Sequence, residues 1–151
     1  LEVKKLEAQQ LIRDGVQEMD LVMNIGKLKS GEYGYVLEEL KEIAGLVGDI
    51  PLKVIIEINC LTDEEMKKAC ELVLKSGASF IKTGTGWLEG GPNVERIRTI
   101  MDFVGKGIKV KAAGGIRTVD DFLDLYRIGV SRFGINLQSA QEIIDKLGNP
   151  S

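Results

Sequence analysis

The sequence predicts an α/β fold in which βα units repeat around a parallel sheet. Short apolar runs rich in β-branched residues recur along the chain, and segments with helical periodicity lie between them. Turn and capping residues mark most of the junctions.

The predicted elements follow in order. A helix over about 2–15 precedes a first strand at 19–25 (MDLVMNI). Further strands are read at 52–58 (LKVIIEI), 79–83 (SFIKT), 107–112 (GIKVKA) and 131–136 (SRFGIN), with helices at roughly 33–47, 63–76, 92–104, 119–128 and 138–147. Thr62 with Glu65 reads as a capping box opening the third of these six helices, and Gly77 sits where that helix should stop. Pro92 suits the first position of the next helix, and Thr118 with Asp120 and Asp121 behind it suits the start of the one after. No Ser/Gly-rich linker interrupts the pattern, so residues 1–151 are expected to form a single domain.

Composition narrows the chemistry. The 151 residues carry a net charge of −3 and no histidine, which removes histidine general bases, Ser-His and Cys-His pairs and histidine-ligated metals. Two cysteines cannot make a four-thiolate zinc site or a secreted disulfide framework. With 5% aromatic residues and mild acidity, neither a base-stacking surface nor a phosphate-backbone binder is expected. No apolar run approaches the ~20 residues of a membrane span, and the first residues lack a secretory core. The expectation is a soluble cytoplasmic protein that binds neither nucleic acid nor membrane.

Parallel strands covered on both faces should be almost continuously apolar. Here Asp20, Asn24, Glu57, Lys82, Lys109 and Lys111 interrupt the runs. Buried in an open, doubly wound sheet, unpaired charges would each cost several kcal/mol. In a closed barrel, inward positions near the C-terminal strand ends form an active-site mouth instead. A barrel therefore suits the pattern better.

Two signals bear on function. The turns Gly84-Thr85-Gly86, Gly90-Gly91 and Gly114-Gly115, the last leading to Arg117, could bring backbone N–H groups close to an anion; equally, they could just be tight turns. Lys82 and Lys111 each end an apolar run and each precede a small-residue turn (KTGTG and KAAGG). One βα unit between them would put them at equal height on adjacent strands, about 4.8 Å apart. A neighbouring cation and partial desolvation both favour the neutral amine that Schiff-base chemistry needs. Spacing leaves a second possibility, in which the lysines point outward or pair with Glu57 or Asp20.

The stretches EMDLVMNIG (18–26), LKVIIE (52–57), GASFIKTGTG (77–86), VKAAGGIRT (110–118) and RFG (132–134) resemble the deoxyribose-phosphate aldolases in order and spacing, over nearly the whole chain. These are class I lysine aldolases on a (β/α)8 TIM barrel, of which this chain would carry strands four to eight, the C-terminal portion. The resemblance implies that Lys82, on strand six, forms the Schiff base. Lys111, on strand seven, would lower its pKa. Asp20, on strand four, would relay protons with Lys111 and a water. Gly86, Gly114, Gly115 and Gly134 would surround a substrate phosphate. The implied reaction, acetaldehyde plus glyceraldehyde 3-phosphate to 2-deoxyribose 5-phosphate and back, needs no metal or cofactor, and a homo-oligomer is expected.

The sequence departs from that family in three ways. A whole barrel takes ~250 residues, and five strands cannot close one; the rest is expected from a longer polypeptide, another chain or reassembly between copies. After the last strand the family usually shows Gly-x-Ser-Ser, where this chain has Gly134-Ile135-Asn136-Leu137, leaving backbone donors, Arg117 and the amide of Asn136 for the phosphate. Gly84 stands where serine is usual, and Lys109 stands where a small residue is usual. Lys109 could pair with Glu57 or add a third cation, and Trp87 could pack over its loop or line the substrate. The alternatives are a related lysine aldolase with another acceptor aldehyde, or an inactive truncated barrel that binds or assembles.

Overall fold

The computed structural model describes residues 1–88 and 94–148. Helix α1 (Glu2–Arg13) leads into β1 (Met19–Val22), followed by α2 (Ile25–Lys29) and α3 (Tyr33–Val47). Then come β2 (Leu52–Ile55), a 3-10 turn (Ile58–Cys60), α4 (Asp63–Leu74), β3 (Phe80–Lys82) and α5 (Val94–Val104). The chain continues through β4 (Lys109–Ala113), α6 (Val119–Arg127), β5 (Arg132–Gly134) and α7 (Leu137–Gly148). Gly90, Gly91 and Pro92 lie outside the described residues.

The five strands are parallel and their spatial order is their sequence order. A doubly wound sheet would reverse direction at a switch point; this one winds a single way, as a barrel wall does. Along each strand the side chains alternate between two environments. Met19, Leu21, Leu52, Val54, Ile81, Val110 and Ala112 face the helices and join a core with Leu40, Ile43, Met66, Val73, Ile97, Ile100 and Leu125. Asp20, Lys53, Phe80, Lys82, Lys109, Lys111, Arg132 and Gly134 take the other face.

That second face is concave. Arg132 on β5 donates to the carboxylate of Glu18, just before β1, at 2.6 Å. In a flat sheet these edges would be roughly 19 Å apart, at about 4.8 Å per strand, so the sheet curls to bring its ends together. The chain is thus an arc of five βα units with one covered wall and one polar interior.

The capping signals are realised. Thr62 and Glu65 form a reciprocal capping box at α4, and Thr118 accepts from the Asp121 N–H at α6. Two strands are shorter than expected. Asn24 leaves β1 to cap α2, accepting from Lys27 N–H at 3.1 Å. Glu57 leaves β2 in a left-handed conformation (φ 50, ψ 64). Neither residue interrupts a strand.

Candidate active site

Lys82 and Lys111 are register partners on adjacent strands, β3 and β4. Thr83 fixes that register. Its buried hydroxyl donates to the Ala113 carbonyl and accepts from the Ala113 N–H, each at 3.0 Å. The two ammonium groups therefore stand side by side at the C-terminal end of the concave face.

Asp20 comes to them from β1. One carboxylate oxygen accepts from Lys82 Nζ at 3.1 Å, and the other lies 3.4 Å from Lys53 Nζ. Burial works against ionising Asp20, but the Lys82 hydrogen bond and charge, with Lys53 and Lys111 behind, hold its pKa below the usual carboxylate value. Lys111 is pushed below the ordinary lysine value, chiefly by burial and then by the Lys82 charge. Lys82 faces the concave interior and is ion-paired with Asp20, one of the two partners its spacing had left open.

Lys53 is the residue the sequence pattern did not single out. It is buried on β2 and bridges Asp20 to Glu18, whose carboxylate lies 2.9 Å away and also binds Arg132. Those two hydrogen bonds bring the Glu18 pKa down to about 2. The network runs Arg132–Glu18–Lys53–Asp20–Lys82 across the arc. Its only sequence signal was a lysine flanked by Leu52 and Val54, indistinguishable from a solvent-facing strand position. Lys109 does not pair with Glu57; its ammonium lies 5.6 Å from the centre of the Phe80 ring, below the two site lysines. Glu57 instead accepts from Thr85.

A cleft of about 320 Å³ opens above the lysines. It is lined by Lys82 and Lys111 and, farther out, by Gly86, Gly114, Gly115, Arg117, Gly134 and Asn136. The two lysines, Arg117, Asn136 and the expected glycines thus share one cleft, and Asp20 is connected to it through its ion pair with Lys82. Gly86 and Gly114 have positive φ and approach each other closely: a Cβ on Gly114 would lie 3.6 Å from Gly86 Cα. The glycines let two loops meet backbone to backbone at the cleft. Asn136 is partly committed, because its side-chain oxygen caps α7 by accepting from the Ser139 N–H at 2.8 Å. Leu137 is exposed and its side chain offers no donor.

Trp87 neither packs over its loop nor lines this cleft; it is 91% exposed. Cys60 is exposed, and Cys70 is buried with its thiol pushed up to about 12. Among the described residues no cluster of three or more Cys, Asp or Glu side chains is arranged to hold a metal.

Comparison with known proteins agrees with the fold. The family described as DeoC/LacD family aldolase matches residues 1–134. The deoxyribose-phosphate aldolase of Rhizobium meliloti is 44% identical over 141 residues, which cover 93% of this chain and 57% of that protein. A solved structure titled QR15, an aldolase, superposes with a TM-score of 0.88 at 40% identity, over 97% of this chain and 65% of that one. The deoxyribose phosphate aldolase of Aeropyrum pernix, titled as a unique tetrameric structure, gives 0.79 at 25% identity, over 99% and 63%. The chain therefore spans a little under two thirds of these relatives' lengths.

Proposed function

Because the chain belongs to the DeoC/LacD family of aldolases, we propose that it supplies strands four to eight of a TIM-barrel lysine aldolase acting on 2-deoxyribose 5-phosphate. The observation that carries this is the side-by-side placement of Lys82 and Lys111 on one cleft, with Asp20 bonded to Lys82.

In the synthetic direction the Lys82 amine adds to the carbonyl carbon of acetaldehyde, and loss of water leaves an iminium. The iminium withdraws electrons from the adjacent carbon, which gives up a proton and becomes an enamine. The enamine carbon attacks the aldehyde of glyceraldehyde 3-phosphate, forming the C–C bond, and the new alkoxide takes a proton. Water then hydrolyses the iminium, releasing 2-deoxyribose 5-phosphate and restoring the amine. Asp20 and Lys111, through a water, move the protons in both directions. The N–H groups of Gly86, Gly114 and Gly115, the start of α7 and the Arg117 guanidinium hold the phosphate. The chemistry needs no metal or cofactor. We place the enzyme in the cytoplasm as a homo-oligomer, in keeping with the tetrameric aldolase of Aeropyrum pernix.

The test is covalent capture. Acetaldehyde followed by borohydride should reduce the adduct onto Lys82, read by peptide mapping, and Lys111→Leu should nearly abolish turnover at neutral pH. Labelling at Lys111 or Lys109 with Lys82 untouched overturns the assignment.

A second possibility, an aldolase with a different acceptor aldehyde, is favoured by one observation. The oxygen of Asn136 is spent on capping α7, and Leu137 brings no hydroxyl to the phosphate end.

A further inference from the structure

Glu57 is buried, lies outside the cleft lining, and is the non-glycine residue with positive φ among those described. An L side chain rarely adopts that conformation, and here it aims the carboxylate from the end of β2 at the loop after β3. One carboxylate oxygen accepts from the Thr85 N–H at 3.1 Å and from the Thr85 hydroxyl at 2.5 Å. The same Thr85 hydroxyl oxygen accepts from the Trp87 N–H at 3.2 Å. The other carboxylate oxygen occupies the space beside Gly84, where a Cβ would lie only 2.8 Å from it.

The first part of the loop is therefore held at two points. Thr83 ties its start to β4 through Ala113, and Glu57 ties its middle to β2. Between those ties and the end of β4, Gly86 is brought against Gly114, and both of those glycines line the outer part of the cleft.

We propose that Glu57 is a positioning residue that sets the shape of the glycine end of the cleft, and through it the grip on the charged end of the acceptor. It does not touch the lysines. Gly84 lies against the same device, because a Cβ there would come within 2.8 Å of the carboxylate and push its end aside. The consequence for substrate depends on the aldolase assignment; the clamp itself does not.

The experiment compares wild type with Glu57→Ala, Glu57→Gln, Gly84→Ala and the double variant Glu57→Ala/Gly84→Ala. Amide hydrogen exchange at Thr85 reads the clamp without turnover. Removing a charge-assisted bond should speed that exchange at least ~10-fold in Glu57→Ala, while Glu57→Gln, which keeps one acceptor, falls between. KM for glyceraldehyde 3-phosphate should rise about 10- to 100-fold in Glu57→Ala. Borohydride capture of acetaldehyde on Lys82, which involves no phosphate, should stay within about threefold of wild type. Gly84→Ala should give the same effects in weaker form and add nothing once Glu57 is alanine, since the clash is with the carboxylate.

Unchanged Thr85 exchange in Glu57→Ala, or in Glu57→Gln if the alanine variant does not fold, overturns the clamp. Fully additive effects of Gly84→Ala overturn the coupling. Capture slowed as much as KM is raised would make Glu57 part of the lysine chemistry instead. If wild type itself captures no acetaldehyde, the aldolase assignment fails while the exchange measurement still decides the clamp.

Discussion

Replacing Thr83 with valine removes one hydroxyl and almost no volume, so it isolates the bond that sets the height of Lys82 against Lys111. In the wild type that hydroxyl satisfies the Ala113 N–H and adds a donor to the Ala113 carbonyl. Valine leaves the N–H without a partner beside a position that is 1% exposed. A buried donor left unmade costs about 1–3 kcal/mol; the carbonyl, with a second lone pair and Ala113 only half-buried, adds little, so about 2 kcal/mol is expected. Urea unfolding should show a lower midpoint with an unchanged slope, the sign of lost stability without a changed denatured state. Borohydride capture on Lys82 should slow about tenfold, because one factor of ten corresponds to only ~1.4 kcal/mol of lost alignment. Thr83→Ser keeps the bond and gives up a methyl; it should lose about 1 kcal/mol of stability and retain capture. A valine variant within about 0.5 kcal/mol of wild type with normal capture would refute the role of the bond. So would a serine variant that is the worse of the two.

Two further outcomes follow from charge. Glu18 titrates at about 2 in the fold against an ordinary 4.5, so its contribution to stability is complete above about pH 4.5 and is lost as pH falls toward 2. The Asp20 pKa moves in the same direction. Unfolding midpoints measured across that window should fall with acidification, and Glu18→Gln should flatten the fall; an equally steep limb in the variant would exclude Glu18 as its source. At the phosphate end, without hydroxyls at 136 and 137, kcat/KM for 2-deoxyribose 5-phosphate should exceed that for 2-deoxyribose by less than about a hundredfold. A ratio of ~10⁴ or more, near 5.5 kcal/mol, would show that backbone donors and Arg117 suffice.

Local chemistry made much of this fold legible. The helix read at 33–47 is observed at Tyr33–Val47, and Thr62 and Thr118 cap the helices they were expected to open. Each of these depends on residues within a few positions. The ends of β1 and β2 were misjudged because Asn24 and Glu57 sit in apolar surroundings, and nothing local says that one caps a helix and the other turns left-handed. Helix α2, at 5 residues, is too short to show a period. The adjacency of Lys82 and Lys111 could be read because one βα unit separates them. The burial of Lys53 could not, since it depends on Glu18 and, through Glu18, on Arg132, which is 114 positions from Glu18. Lys109 found an aromatic face rather than a carboxylate because β-register sets it beside Phe80, while Glu57 lies beyond the strand end.

The contact between Arg132 and Glu18 makes the sheet a strung bow, with five strands as the limb and one ion pair as the string. Both ends of the string are partly exposed, at 41% and 35% of their side-chain surface, and such a pair contributes only about 0–1 kcal/mol. The string is thus too weak to bend the limb, whose curvature comes from strand twist and from the helices packed on its back. What it can do is choose among nearly equal degrees of draw. Asp20 stands on β1, whereas Lys82, Lys111 and the cleft glycines stand on or just beyond β3 to β5, so draw sets how closely Asp20 meets the lysines across the arc. Dissolved ions slacken the string, since screening acts over ~8 Å at physiological ionic strength and ~3 Å at 1 M. Ionic strength and the approach of Asp20 to the lysines are in this way tied to a single mechanical variable.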